Sequence, residues 1–204
     1  MSKSSNNKTL TLKGVENGVV INVDQNNSVA LTSFSGSNVT FENLTIKTSE
    51  GIYKGFARMV GTYNNCKFEN LYFTFHGEHK FNDCSFNANN EEHCVWTYGA
   101  DDVEFNNCAF NYANRCINVY TEMGVADGVL TCNNCSFTAT NADSKGAIEI
   151  NSSSFANSVK VNLSNCVEPA YGEMAFISGW DSANGAKATV TIDGTIVTVP
   201  QLSK

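Results

Sequence analysis

Proline is nearly absent from this chain of 204 residues, with 2, and 42% of the residues are apolar, so it lacks the composition of a disordered segment. No stretch approaches the roughly 20 consecutive apolar residues that a membrane-spanning helix needs, so no membrane insertion is expected. Basic side chains are outnumbered, 13 Lys and Arg against 20 Asp and Glu, for a formal net charge of -7. That balance argues against broad nucleic-acid binding and against an anionic membrane surface, since both need basic patches to face phosphate. The start, Met1 to Lys8, is polar and has no apolar segment of a secretory leader. The setting expected from it is the inside of a cell, or the surface of a cell or virion if the chain is a piece of a longer protein. No Gly-rich phosphate loop, Gly-x-Ser-x-Gly or His-Glu-x-x-His occurs, and nothing asks for a cofactor or a metal. The 8 Cys follow neither a zinc pattern nor a small disulfide framework. Cys132 and Cys135 form a Cys-x-x-Cys, but both fall inside a repeat and are read as core packing.

What the chain does have is one short phrase written six times. It reads Val39-Thr-Phe-Glu-Asn43-Leu44-Thr-Ile46, then Thr62-Tyr-Asn-Asn65-Cys66-Lys-Phe68 and Lys80-Phe-Asn-Asp83-Cys84-Ser-Phe86. It returns as Val103-Glu-Phe-Asn-Asn107-Cys108-Ala-Phe110, Leu130-Thr-Cys-Asn-Asn134-Cys135-Ser-Phe137 and Val161-Asn-Leu-Ser-Asn165-Cys166-Val167. The Asn or Asp column advances by 22, 18, 24, 27 and 31 residues. A constant phrase at a variable interval describes stacked coils with fixed strands and variable loops. Within each copy apolar residues alternate, and the phase breaks at the Asn, so each copy is two short strands joined by a bend. Asn suits that bend because it tolerates left-handed backbone geometry, and stacked amides can bond from coil to coil.

A third alternating strand precedes most copies: Phe73 to His76, Val95 to Tyr98, Ile117 to Tyr120, Ile148 to Asn151 and Phe176 to Gly179. Three strands per coil with no helical period between them make an all-β parallel β-helix, and a leucine-rich repeat, which needs a helix or its like in each coil, fits worse. Leu10 to Lys13 and Val19 to Val23 enter β-structure directly. Ala188 to Val199 reads as a hairpin or a last half-coil turning at Asp193-Gly194, ended by Pro200.

The Asn column, the stacked Cys and Leu44 column and the Phe columns resemble the right-handed parallel β-helix superfamily of pectate-lyase-like proteins, over roughly residues 8 to 198. Val95 to Cys108 is also similar to uncharacterised repeat proteins of gut bacteria and their phages. The expectation is one domain, residues 9–200, of about seven to eight coils, between a flexible 1–8 and a tail 201–204. The resemblance implies a capping helix before the first coil, and residues 1–8 are too short and polar for one. An uncapped first coil points to an end-to-end contact or an upstream domain there.

Alternation on the pre-phrase strands sends two columns outward: Arg58, Thr74, Trp96, Asn118 and Glu149, and beside it Val60, His76, Tyr98, Tyr120 and Asn151. Aromatic faces stack on sugar rings while amides and charges pair with hydroxyls, so this face is the candidate binding surface for a glycan or a protein. Exposed Tyr, Trp and Asn also serve cross-strand ladders, which leaves plain structural stacking as the rival. Glu91, Glu92, His93, Arg115, Asp143 and Lys145 sit in the loops bordering the face.

Enzymes of the resembling superfamily imply an alternative. Its lyases use an Arg or Lys base with acidic residues holding calcium, and its hydrolases use several Asp with a His and an Arg-x-Lys. Asp101-Asp102 resembles the hydrolase pair, but no Gly-His-Gly and no Arg-x-Lys follow. A polyuronate lyase or hydrolase here would draw on Asp101, Asp102, Glu149 or Arg58. The acidic balance also permits an intracellular decoy or inhibitor of a protein partner. The leading expectation is a non-catalytic binding or structural module.

Overall fold

The computed structural model describes residues 9–16, 18–22, 38–47, 54–58, 60–70, 73–88, 93–98, 102–120, 128–141, 144, 146–151, 159–167, 177–179 and 188–197. The segments 1–8 and 201–204 lie outside the described residues. The first strands are β1 (Thr9–Lys13), β2 (Val20–Asn22), β3 (Asn38–Glu42) and β4 (Thr45–Lys47). Next come β5 (Lys54–Arg58), β6 (Val60–Asn64) and β7 (Lys67–Glu69), then β8 (Phe73–His76), β9 (His79–Asn82) and β10 (Ser85–Ala88). Two further sets of three are β11 (His93–Tyr98), β12 (Val103–Asn106) and β13 (Ala109–Tyr112), and β14 (Arg115–Tyr120), β15 (Val129–Asn133) and β16 (Ser136–Ala139). The chain closes with β17 (Ile148–Asn151), β18 (Val159–Ser164), β19 (Ile177–Gly179), β20 (Ala188–Ile192) and β21 (Thr195–Val197).

These strands form a parallel β-solenoid with no helix among the described residues. The first sheet runs β5-β8-β11-β14-β17-β19, the second β1-β3-β6-β9-β12-β15-β18-β20-β21, and the third β2-β4-β7-β10-β13-β16. Every pairing within them is parallel except β20 with β21, an antiparallel hairpin turning at Asp193 and Gly194. The fold class expected from the repeats is therefore correct, and the coil count needs correcting. Coils with all three strands described are the four from β5 to β16, flanked by partial coils at each end. Near the ends one strand of the set is missing from the described residues, so the complete described coils are fewer than the seven to eight expected.

The phrase works through its bend. Asn43, Asn65, Asp83, Asn107, Asn134 and Asn165 have φ between 51° and 55°, and Asp193 continues the column at 47°. Left-handed geometry is open to Asn and Asp, whose short polar side chains bond locally, and closed to β-branched residues. The bend turns the next side chain inward. Cys66, Cys84, Cys108 and Cys135 are buried there, each Sγ within 3.7 Å of a carbonyl in the coil before it.

Two aromatic columns fill the interior. Phe41, Tyr63, Phe81 and Phe105 stack at centroid distances of 5.0, 4.5 and 4.7 Å. Phe68, Phe86, Phe110 and Phe137 stack at 4.6, 4.8 and 5.0 Å. These distances match the strand spacing of about 4.8 Å, so the coil rise and the ring stack reinforce each other.

Asn amides tie the coils together on the outside. The bend amides bond upstream, Asn65 to Asn43 at 2.9 Å, Asn107 to Asp83 at 3.2 Å and Asn134 to Asn107 at 3.2 Å. These amides are exposed rather than buried. A second, half-buried ladder stands one residue earlier: Asn82 donates to Asn64 at 2.8 Å, Asn106 to Asn82 at 3.0 Å and Asn133 to Asn106 at 2.9 Å. Each rung donates its N–H to the preceding coil, and a carboxylate at Asp83 has none to give, so the outer ladder breaks between Asp83 and Asn65. Asp83→Asn keeps the left-handed bend and supplies the missing donor. It is expected to raise stability by about 0.5–1.5 kcal/mol. A denaturant midpoint that stays put or falls would refute the ladder polarity.

All 8 Cys are free thiols. Burial holds the Cys116 and Cys132 thiols well above the ordinary range, so both are neutral, unreactive packing groups. Cys166, half-buried, is the most accessible. A thiol reagent should label at most one Cys in the native protein and all eight after denaturation. Fewer than eight in denaturant would reveal disulfides, and several in the native state would show that the Cys column is not core.

Candidate functional site

The first sheet carries the candidate site because its core face is fixed. Val95, Ile117, Val119, Ile148 and Ile150 belong to the buried apolar cluster, so the residues between them point to the other side. Register then lines up Thr74, Trp96, Asn118, Glu149 and Ser178 in one row across β8, β11, β14, β17 and β19. Tyr98, Tyr120 and Asn151 form the next row.

Two expected members are elsewhere. The pairing of β5 with β8 shifts between Gly55 and Arg58, so Gly55 faces Thr74 and Arg58 faces His76. Alternation alone cannot foresee such a shift. Val60 belongs to β6 in the second sheet, opposite Asn38. Of Arg58, His76, Tyr98, Tyr120 and Asn151 only the backbone is described; their side chains, and all of Asp101, Glu91, Glu92, Asp143 and Lys145, lie outside the described residues.

The row differs from expectation in exposure as well. Trp96 is half-buried, while Asn118 and Glu149 are each 1% exposed. A carboxylate can be withdrawn from water that far only with partners, and Glu149 has them. His93 Nε2 donates to Glu149 Oε2 at 2.7 Å, and Arg115 Nη1 lies 3.3 Å from the same oxygen. His93 and Arg115 face each other at the heads of β11 and β14. Alternation breaks directly after them, where Cys94 with Val95, and Cys116 with Ile117, are consecutive residues of the core cluster. That break leaves His93 and Arg115 on the outer side, against Glu149. The His93 and Trp96 rings are 6.2 Å apart, which joins the indole to the cluster.

The polar atoms of the row are unevenly satisfied. Oε2 of Glu149 takes both His93 and Arg115, while Oε1 is buried and has no hydrogen-bond partner among the described residues. Both the Oδ1 and the Nδ2 of Asn118 are in the same condition. Asn118 and Glu149 are direct neighbours across β14 and β17. Three buried polar atoms thus gather in one place: two acceptors and one two-proton donor.

No family model, no curated protein and no solved structure matches the chain. The reading of the site rests on its geometry.

Of the residues of the catalytic alternative, Asp101 lies outside the described residues, and Asp102, Arg58 and Glu149 belong to different coils. Asp102 is exposed at the head of β12, where its Oδ1 accepts from the Val129 N–H at 3.1 Å. Asp102 lines a groove of about 460 Å³ beside the second sheet with Thr62, Glu78, Lys80, Glu104 and Thr131. Within it Lys80 pairs with Glu104 at 3.0 Å, and the Asn106 amide together with Lys80 holds the Glu104 carboxyl below its usual range. Arg58 is on β5, four strands before β17 in the first sheet, or about 19 Å from the Glu149 row at the usual strand spacing. Glycoside hydrolysis by inversion needs two carboxyl groups about 6.5–9.5 Å apart across one substrate. Among the described residues the first-sheet cluster contributes one, Glu149. No group of three or more His, Cys, Asp or Glu among the described residues is placed to hold a metal ion.

Proposed function

We propose that this chain is a non-catalytic binding module whose first-sheet face takes a glycan. The half-buried Trp96 indole on that face stacks on a sugar ring. The observation that carries this reading is the half-buried Trp96 in one row with Asn118 and Glu149, whose buried amide and Oε1 have no hydrogen-bond partner among the described residues. A buried polar group left without a partner weakens a fold by about 1–3 kcal/mol, so these atoms mark the row out from the rest of the sheet. The likeness of the repeats to pectate-lyase-like proteins points the same way, and we place the chain in that superfamily on the same proposal.

The role predicts an unusual variant. Asn118→Leu removes two unpaired polar atoms at similar volume, so it is expected to melt higher than the wild type while losing glycan binding. A glycan array run with wild type, Asn118→Leu and Trp96→Ala measures the second half and thermal unfolding the first. A melting temperature lowered by several degrees would show that Asn118 holds the fold together. Array binding unchanged in both variants would move the site off this face. A blank array for folded wild type would sink the glycan reading in favour of a protein partner, and products released from a polyuronate would favour the enzyme.

A further inference from the structure

We infer that Cys166 is a modification site, a thiol open to low-molecular-weight disulfides, and that Cys135 resolves the adduct into an internal disulfide. The inference is independent of the glycan reading and rests on how the Cys column ends. Cys66, Cys84, Cys108 and Cys135 are buried, and the next coil sets another Cys over each of them. Cys166 is the last of the column. The strand above it, β20, follows β18 only as far as the pair Leu163 and Ile192. It then reverses at Asp193 and Gly194 into β21, three residues short of the level of Cys166. No side chain of that strand arrives over the thiol, and the corner stands open, with Cys166 half-buried and Val167 62% exposed.

The backbone gives Cys166 one register partner. Asn133 pairs with Ser164 and Ser136 with Val167, so Cys135 and Cys166 lie opposite each other between them. The Val167 N–H on the Cys135 carbonyl at 2.9 Å and the Asn134 N–H on the Ser164 carbonyl at 2.8 Å hold both flanks. At the usual strand spacing their Cα atoms are about 4.8 Å apart, inside the roughly 4.4–6.8 Å that a disulfide spans. Cys166 leans toward the coil of Cys135, with its Sγ 3.4 Å from the Cys132 carbonyl oxygen. The Cys135 sulfur accepts from the thiols of Cys108, Cys132 and Cys166, which holds it below the ordinary thiol range. Donating to Cys135 pushes Cys166 up, with burial adding to the effect. Cys135 therefore carries more thiolate but is buried, and Cys166 is the thiol that a reagent can reach.

The chemistry is thiol–disulfide exchange in two steps. The Cys166 sulfur attacks one sulfur of a reagent RSSR, the reagent's S–S bond breaks, and one RSH departs with the Cys166 proton. The Cys135 sulfur then attacks the Cys166 sulfur, the bond to RS breaks, and a second RSH departs with the Cys135 proton. Two protein thiols are oxidised and one disulfide is reduced to two thiols. The product ties the last copy of the phrase to the copy 31 residues before it, where Ser136 and Val167 form only an isolated bridge.

The test treats the reduced, folded chain with oxidised glutathione and maps thiols and bridges by tandem mass spectrometry. One bridge, Cys135 to Cys166, is expected, leaving six of the eight thiols to titrate in denaturant. The bridged protein should unfold at a higher urea concentration than the reduced one. Cys166→Ser should leave its seven thiols unreacted, and Cys135→Ala should stop at a glutathione adduct on Cys166. If Cys135→Ala fails to fold, the wild-type map decides alone. Eight thiols recovered after treatment, or adducts spread over the buried Cys, overturn Cys166 as the entry point. An adduct that persists on Cys166 in the wild type, a bridge to Cys132 or a bridge between two chains overturns Cys135 as its partner.

Discussion

Phe110→Ala is expected to destabilise the protein by about 3–5 kcal/mol, the range for emptying a fully buried aromatic position. Phe110 is 0% exposed in the middle of its column. It stacks on Phe86 at 4.8 Å and on Phe137 at 5.0 Å, and it meets Phe105 edge-on at 5.2 Å. Removing the ring therefore interrupts one column in both directions and unseats its contact with the other. In a solenoid each coil is held chiefly by its two neighbours, so a gap in a central coil weakens two interfaces at once. Phe137→Ala, at the last described aromatic of the same column, should be the milder of the two. Urea unfolding followed by circular dichroism measures both, and a Phe110→Ala loss below about 1 kcal/mol would mean that the coils do not depend on the stack.

The second large effect belongs to the site. Glu149→Ala leaves His93 and Arg115 facing one another without their shared carboxylate, and truncating one partner of a buried ion pair typically removes about 3–5 kcal/mol. The lower part of that range is expected, because the Arg115 side chain retains 18% exposure and can regain water. Glu149→Gln keeps an acceptor for His93 and should lose clearly less. Both are measured by the same urea titration. Equal losses for Ala and Gln would show that charge, not the hydrogen bond, holds the cluster, and no loss for either would contradict the geometry of the cluster itself. The comparison with Asn118→Leu is informative. Glu149 is bound into the fold through Oε2, whereas the Asn118 amide has no hydrogen-bond partner among the described residues. Glu149→Ala should weaken the protein and Asn118→Leu should strengthen it, and on the proposed reading both should lose binding.

The repeats made the architecture legible because they state the same local instruction many times. Asn43, Asn65, Asp83, Asn107, Asn134 and Asn165 each mark a left-handed bend; after the first five, the Cys or Leu44 and the Phe or Ile46 point inward, while Val167 after the sixth is exposed. Asp193 plays the same part, and its neighbour Gly194 revealed the hairpin, but without a copy of the phrase it was not recognisable as a member of the column. The inner ladder of Asn64, Asn82, Asn106 and Asn133 went unseen because an outward Asn in a strand has the pattern of any polar residue. Its regular place, one position before the bend, is the signal that was there to read.

The site was legible in part, and for a physical reason. Alternation tells which side of a sheet a residue takes, and it placed Trp96, Asn118 and Glu149 on one row. It says nothing of what lies over that side, so their burial was invisible. It also fails at corners, where Cys94 with Val95 and Cys116 with Ile117 turn inward in succession and leave His93 and Arg115 beside Glu149. A His or an Arg at equivalent positions of two successive coils, two residues ahead of Val95 and Ile117, was the clue. The displacement of Arg58 came from the shift in the β5 pairing, which no residue type announces.

The most direct test of the account places a reporter in the site. The chain has 2 tryptophans, Trp96 and Trp180, so Trp180→Phe leaves Trp96 as the sole indole. Titrating that variant with the leading array glycan should give a saturable change in its emission, with the dissociation constant found by calorimetry, and Asn118→Leu in the same background should abolish it. Calorimetric binding with no change in Trp96 emission would put the ligand elsewhere on the solenoid and contradict the assignment of the first-sheet face.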